Sequence, residues 1–182
     1  MFKEKHIVLK EMIEKELKFK VDNVEELVKK IGGVRPEIFY CKDEIFGRGL
    51  GYNKEKIRKR TIISQKGIKV IYEGTKILKA KNKISRTKEK KLTRIPADFV
   101  CENSYDKVRF LFKRPNYEIT IDIYAFGIFC EIEGEEKLIK SVAKKLGFNL
   151  KDSIEANIDA LYCKWAKKNR REELYHWGFG KL

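Results

Sequence analysis

The chain has 182 residues, enough for one domain with a substantial core. An apolar content of 42%, 12% aromatics and only three prolines exclude a disordered polymer. No apolar run approaches the about 18 residues of a membrane span, and the opening "MFKEKHIVLKEMIEKE" is too charged for a secretory leader. The expectation is a soluble cytoplasmic protein with no membrane partner.

Forty-two Lys and Arg against 27 Asp and Glu leave a net charge of +15, which calls for an anionic partner such as nucleic acid or a polyphosphate. Lysine-rich composition with a single glutamine, Gln65, equally fits an AT-rich genome or heat adaptation. Cys41, Cys101, Cys130 and Cys163 are scattered without a CxxC, and there are two histidines, so no zinc framework is readable.

In chain order, residues 1–12 read as a lead-in, either a short amphipathic helix or extended. "IEKELKFKV" (13–21) alternates with period two: Glu14, Glu16 and Lys18 fall on one face, Ile13, Leu17 and Phe19 between them. "DNVEELVKKIGG" then reads as a helix, with an Asp22 or Asn23 cap, an apolar face of Val24, Leu27, Val28 and Ile31, and a Gly32-Gly33 stop. From residue 36 short alternating segments follow: "EIFYCKDEIF", "KIRKRTIIS", "IKVIYEG", "KILKAKNKISRTKEKKL", "KVRFLFKR", "YEITIDIYA" and "GIFCEIEG". Around eight strands in series predict an antiparallel sheet, curled or closed. Two more helices are expected, in "EEKLIKSVAKKLGF" and "SIEANIDALYCKWAKKNR", before the basic and aromatic tail "REELYHWGFGKL".

The strands share a polar face. Glu118, Thr120, Asp122 and Tyr124 oppose three isoleucines; Glu131 and Glu133 share a face, as do Arg58 and Arg60. In a sandwich these faces would be wet. In a closed barrel they would line the lumen, and helices would cover the apolar faces. Acids at strand spacing supply hard oxygen ligands for Mg²⁺ or Mn²⁺, and the bases supply donors for phosphate oxygens. Both together suit a metal–triphosphate complex.

In this order the motifs resemble the CYTH, or triphosphate tunnel, superfamily. "EKELK" is similar to its N-terminal ExExK strand. "KDEIFG" is similar to its next strand through Asp43 and Phe46, with Ile45 in place of the usual tyrosine. "KIRKR" is similar to its L-R-I-R strand, and "IDIYAFGIFCEIEGEEKLIKSVAKKLGF" to its E-I-E hairpin and helix. Glu73 and Lys88 depart from the pattern. Either a cross-strand pair has exchanged signs, or the register differs and Lys79 or Lys81 makes the phosphate contact.

The resemblance implies an α+β protein: a closed eight-stranded antiparallel β-barrel with a charged lumen, flanked by several helices. It would be a single domain over 1–182, with the tunnel core and its helices at 13–150 and the last helix and tail at 151–182. It implies metal ligation by Glu14, Glu16, Asp122, Glu131 and Glu133, phosphate binding by Lys18, Arg58, Arg60, Arg86, Lys113 and Arg114, and catalytic roles for Lys18 and Glu131. The activity expected is divalent-metal-dependent hydrolysis of tripolyphosphate, thiamine triphosphate or a nucleotide. A class IV-type adenylyl cyclase, an RNA 5′-triphosphatase and a non-catalytic polyphosphate- or RNA-binding module are the alternatives, RNA being the less favoured partner. For the tail, a hydrophobic clasp on the barrel exterior is favoured over base stacking.

Overall fold

The computed structural model describes residues 11–48, 55–81 and 84–179. Of the lead-in, residues 1–10 lie outside that set, and Glu11 and Met12 open the first strand. The strands are β1 (Glu11–Lys20), β2 (Glu37–Gly47), β3 (Glu55–Ser64), β4 (Gly67–Lys81), β5 (Ile84–Leu92), β6 (Val100–Lys113), β7 (Tyr117–Tyr124) and β8 (Gly127–Gly134). They bond in the order β2-β3-β4-β5-β1-β8-β7-β6, and β6 pairs back onto β2. Every pairing in that ring is antiparallel. The result is the expected closed eight-stranded barrel in an α+β fold.

The period-two pattern decides which face is which. Leu17, Phe19, Ile119, Ile121, Cys130 and Ile132 point outward into one buried cluster. Two helices complete that cluster: α1 (Val24–Ile31) through Leu27 and Ile31, and α2 (Glu136–Lys145) through Ile139, Val142 and Ala143. The α1 start is fixed by Asn23, whose side-chain oxygen accepts from the Glu26 backbone N–H at 3.0 Å. Its end falls at Gly32, in the left-handed region at φ 53°.

The third helix, α3 (Ile158–Lys168), is shorter than the 153–170 span expected. Asn157 caps it by accepting from the Ala160 N–H at 2.8 Å, so the preceding residues stay outside it. The tail corrects its expectation too. Its aromatic centre does not lie on the exterior: residues His176–Trp177 form β9, parallel to β6, and Trp177 is buried, while Tyr175 and Phe179 stay exposed. Trp177 stacks between Tyr105 (4.8 Å) and Tyr162 (4.6 Å), beside Tyr124, Phe126 and Phe129. Tyr124 and Phe129 flank the β7–β8 turn, so this aromatic plug sits at that end of the barrel.

No helix among the described residues is long and apolar enough to cross a membrane.

The outward cluster should carry the stability. Ile132→Ala removes a fully buried side chain under α2 and is expected to cost about 2–5 kcal/mol. Ile63→Ala, 43% exposed, should stay within about 0.5 kcal/mol. Urea denaturation in the presence of a chelator checks both; equal effects would contradict this placement of the core.

Candidate active site in the barrel lumen

The inward phase of the strands lines a cavity of about 1090 Å³. β1 contributes Glu14, Glu16 and Lys18; β3 contributes Arg58 and Arg60; β8 contributes Glu131 and Glu133. These seven sequence-expected residues are therefore brought together. Register sets acid against base across the strands: Lys18 stands opposite Glu131, Arg58 opposite Glu73, Arg60 opposite Asp43, and Arg109 opposite Asp122.

Each of those cross-strand pairs is closed by contact. Lys18 Nζ lies 3.2 Å from Glu131 and 3.4 Å from Glu16. Arg58 donates to Glu73 at 2.7 Å and to Glu89 at 3.0 Å. Arg60 grips the buried Asp43 with two bonds of 2.6 and 2.7 Å. Arg109 does the same to Asp122, at 2.6 Å twice, and reaches Glu131 at 3.2 Å. Lys107 adds a third cationic contact to Asp122 at 2.7 Å.

Of the four remaining expected residues, three stand elsewhere or otherwise. Asp122 is fully buried and gives both carboxylate oxygens to Arg109 and Lys107. Those cations overcome the effect of burial and hold it well below the usual carboxylate range. Lys113 pairs with Glu37 at 3.3 Å and is 57% exposed. Arg114 donates to the backbone oxygens of Ile31 and Gly32, tying down the end of α1. Neither lines the cavity. Arg86 stands opposite Lys15 on β1, and its side chain lies outside the described residues.

Lys107 and Arg109 were missed, although they share the phase of Lys113 within "KVRFLFK"; the usable signal is that Arg109 is the cross-strand partner of Asp122. The sign-exchange reading of Glu73 and Lys88 is also corrected. Glu73 faces Lys91 across β4–β5, Lys88 faces Lys76, and the partner of Glu73 is Arg58. The side chains of Lys79 and Lys81 lie outside the described residues.

The carboxylates at the Glu14 end are less well compensated. Burial, together with Glu133 and Glu89, pushes Glu14 up to about 9. Burial and the neighbouring Glu118 and Glu16 push Glu133 up to about 7. Glu16 is raised by burial and by Glu131, while for Glu131 Lys18 and Arg109 outweigh burial and lower it. Among the described residues eleven acidic and six basic side chains line the cavity, so the lumen of a +15 protein is itself acidic.

A hard divalent cation suits this donor set in chemistry. The ligands are carboxylate oxygens that repel one another, and the buried Thr120 Oγ1, opposite Glu131 on the inner face of β7, has no hydrogen-bond partner. Among the described residues no group of three or more His, Cys, Asp or Glu converges to hold such an ion, and Glu131 contacts Lys18 and Arg109.

No family model and no curated protein matches the chain. Solved structures do. The PH1012 protein of Pyrococcus horikoshii is 22% identical over 79% of this chain and 96% of its own, with a TM-score of 0.60. The PH1819 protein of the same organism is 18% identical over 83% and 98%, at 0.63. A candidate adenylate cyclase from Vibrio parahaemolyticus is 16% identical over 82% and 97%, at 0.62. These likenesses place the chain in one fold with that candidate cyclase, the eight-stranded antiparallel barrel.

The crowded acids have a pH signature. A carboxylate whose affinity for protons is higher in the folded state adds stability at low pH and loses it as pH rises through its folded value. The metal-free protein should therefore lose thermal stability between about pH 5 and 9, the range spanned by Glu133 and Glu14. Glu14→Gln with Glu133→Gln should flatten the slope. A melting temperature that holds constant or rises over this range, measured with chelator present, contradicts the assignment.

Proposed function

We propose that the chain is a divalent-metal-dependent triphosphatase that takes its substrate inside the barrel. One observation carries the reading: mutually repelling Glu14, Glu16 and Glu133 share a cavity with Lys18, Arg58, Arg60, Lys107 and Arg109. A triphosphate alone would be repelled by so acidic a lumen, since unit charges 4 Å apart interact by about 4 kcal/mol at an effective dielectric constant of 20. Substrate and cation entering together resolve the repulsion.

Glu14, Glu16 and Glu133 would hold the metal, with Glu131 joining them only on leaving Lys18 and Arg109. There the metal would supply positive charge that offsets the charge of the phosphoryl group in transfer. Arg58, Arg60 and Arg109 are already aligned by carboxylates on neighbouring strands, and so present donors to phosphate oxygens without reorganising. Asp122 is a positioning residue in this scheme, holding Arg109 and Lys107 at their heads. The closed barrel limits water around the scissile anhydride.

A second reading is a cyclase of the same fold, favoured by the likeness to the Vibrio parahaemolyticus protein. It requires the ribose 3′-hydroxyl to attack in place of water. Tyr105, Tyr162 and Trp177 line the same cavity, but Trp177 already has a ring on each face, which leaves it no open side for an adenine.

The test is phosphate release with Mg²⁺ or Mn²⁺ from tripolyphosphate, thiamine triphosphate, ATP and 5′-triphosphorylated RNA, with cyclic AMP sought by mass spectrometry. Release from at least one substrate and no cyclic AMP is expected; no release from any of them sinks the hydrolase reading. Glu131→Gln and Arg109→Ala should each lower kcat by about 100-fold. Lys113→Ala should change it less than about twofold, because that side chain faces Glu37 outside the cavity.

A further inference from the structure

The lumen carries two chemistries. Arg58, Arg60 and Arg109 are each held by a carboxylate, in the arrangement that suits phosphate oxygens. The end of the cavity under the aromatic plug differs. There Asn103 of β6 and Asp159, in the first turn of α3, line the wall, and Asn103 Nδ2 donates to Asp159 at 2.5 Å. Burial raises the affinity of Asp159 for its proton, and the one charged side chain that acts on it is another acid, Asp43. The cations of this end are taken. Lys56, which also lines the cavity, is held by Glu102 at 2.5 Å, and Arg60 is held by Asp43. Asn103 has an acceptor in reserve as well: its Oδ1 is buried and has no hydrogen-bond partner.

A carboxylate without a cation, beside an orphan amide oxygen, repels phosphate and calls for hydrogen-bond donors. The wall around the pair includes apolar surface, from Ile45, the cross-strand partner of Asn103, and from Ile158, which precedes Asp159. Trp177 has a ring on each face and offers no open side for stacking, so discrimination falls to the polar atoms. Volume agrees. At about 1090 Å³ the cavity exceeds the about 300–1,000 Å³ usual for a small-molecule site, so a triphosphate among the arginines leaves room for an organic substituent. An amino group on that substituent brings two N–H, one for Asp159 and one for Asn103 Oδ1. An oxo group in its place brings none and sets oxygen against carboxylate.

We propose that Asp159 and Asn103 read an amino group on the organic part of the substrate. The lumen then prefers triphosphates of amino-bearing heterocycles, such as adenine or cytosine, to their oxo counterparts and to inorganic tripolyphosphate. This rests on the reading of the lumen as a triphosphate site.

The experiment is isothermal titration calorimetry with the β,γ-imido analogues of ATP, ITP, CTP and UTP in Mg²⁺, which reads binding without turnover. Wild type should bind the ATP analogue at least about tenfold tighter than the ITP analogue, and the CTP analogue likewise over that of UTP. Asp159→Asn and Asn103→Ser should each bring these ratios below about threefold. Loss of structure would weaken both members of a pair alike and leave the ratio unmoved. In hydrolysis the same preference should appear in KM, with tripolyphosphate at a higher KM than ATP or CTP. Wild-type ratios within about threefold, no measurable binding, or variants that keep the wild-type ratios would each overturn the proposal. Hydrolysis of all five substrates at equal KM leaves the triphosphatase standing and overturns this inference alone. Amino-selective binding with no hydrolysis sinks the hydrolase reading and supports the subsite.

Discussion

The structure depends on one constraint: the barrel closes with its charged face inward. Closure puts the apolar phase of β1, β7 and β8 outside, where α1 and α2 bury it, and leaves the ionic phase nowhere to go but the lumen. Buried charge is tolerated when it is paired and hydrogen-bonded, and losing one member of such a pair costs about 3–5 kcal/mol. The antiparallel register meets this demand by placing Lys18 against Glu131, Arg58 against Glu73, Arg60 against Asp43 and Arg109 against Asp122. The ion pairs fix the side chains of the cavity, and their balance is incomplete at Glu14 and Glu133, whose neighbours are other carboxylates.

The same pairing explains why some residues were legible in the sequence and others were not. In β1 the alternation holds from Glu14 onward apart from Lys15, and in β8 the acids share one phase, so Glu14, Glu16 and Lys18, and likewise Glu131 and Glu133, could be assigned to one face of their strand from spacing. On β6 the cations Lys107, Arg109 and Lys113 share one phase, and the last of them lies past the cavity. Choosing the basic pair at its end, Lys113 and Arg114, was a plausible reading that only register could correct. Asp122 sat on the correct face, but its role depends on which neighbours reach it, and a strand pattern does not carry that information. The tail failed for a related reason: "YHWGF" shows aromatic character, whereas the insertion of Trp177 between Tyr105 and Tyr162 joins residues 72 and 15 positions away in sequence.

The division of charge ties the fold to the proposed function. A +15 chain with an acidic interior keeps its cations for the surface, apart from the few that the lumen carboxylates hold in place. Inside, arginines aligned by carboxylates face the space into which the proposed function brings metal and triphosphate together. Outside, most of the remaining lysines and arginines stand on the surface. Composition alone could not separate these, because both contribute to the same net charge.

The most direct test of the central claim is anomalous diffraction from crystals grown with Mn²⁺ and tripolyphosphate. The account predicts a manganese peak in the lumen ligated by carboxylates of both β1 and β8, with the polyphosphate chain against Arg58, Arg60 and Arg109. A lumen free of manganese, with the polyphosphate bound only to the outer surface, would contradict it.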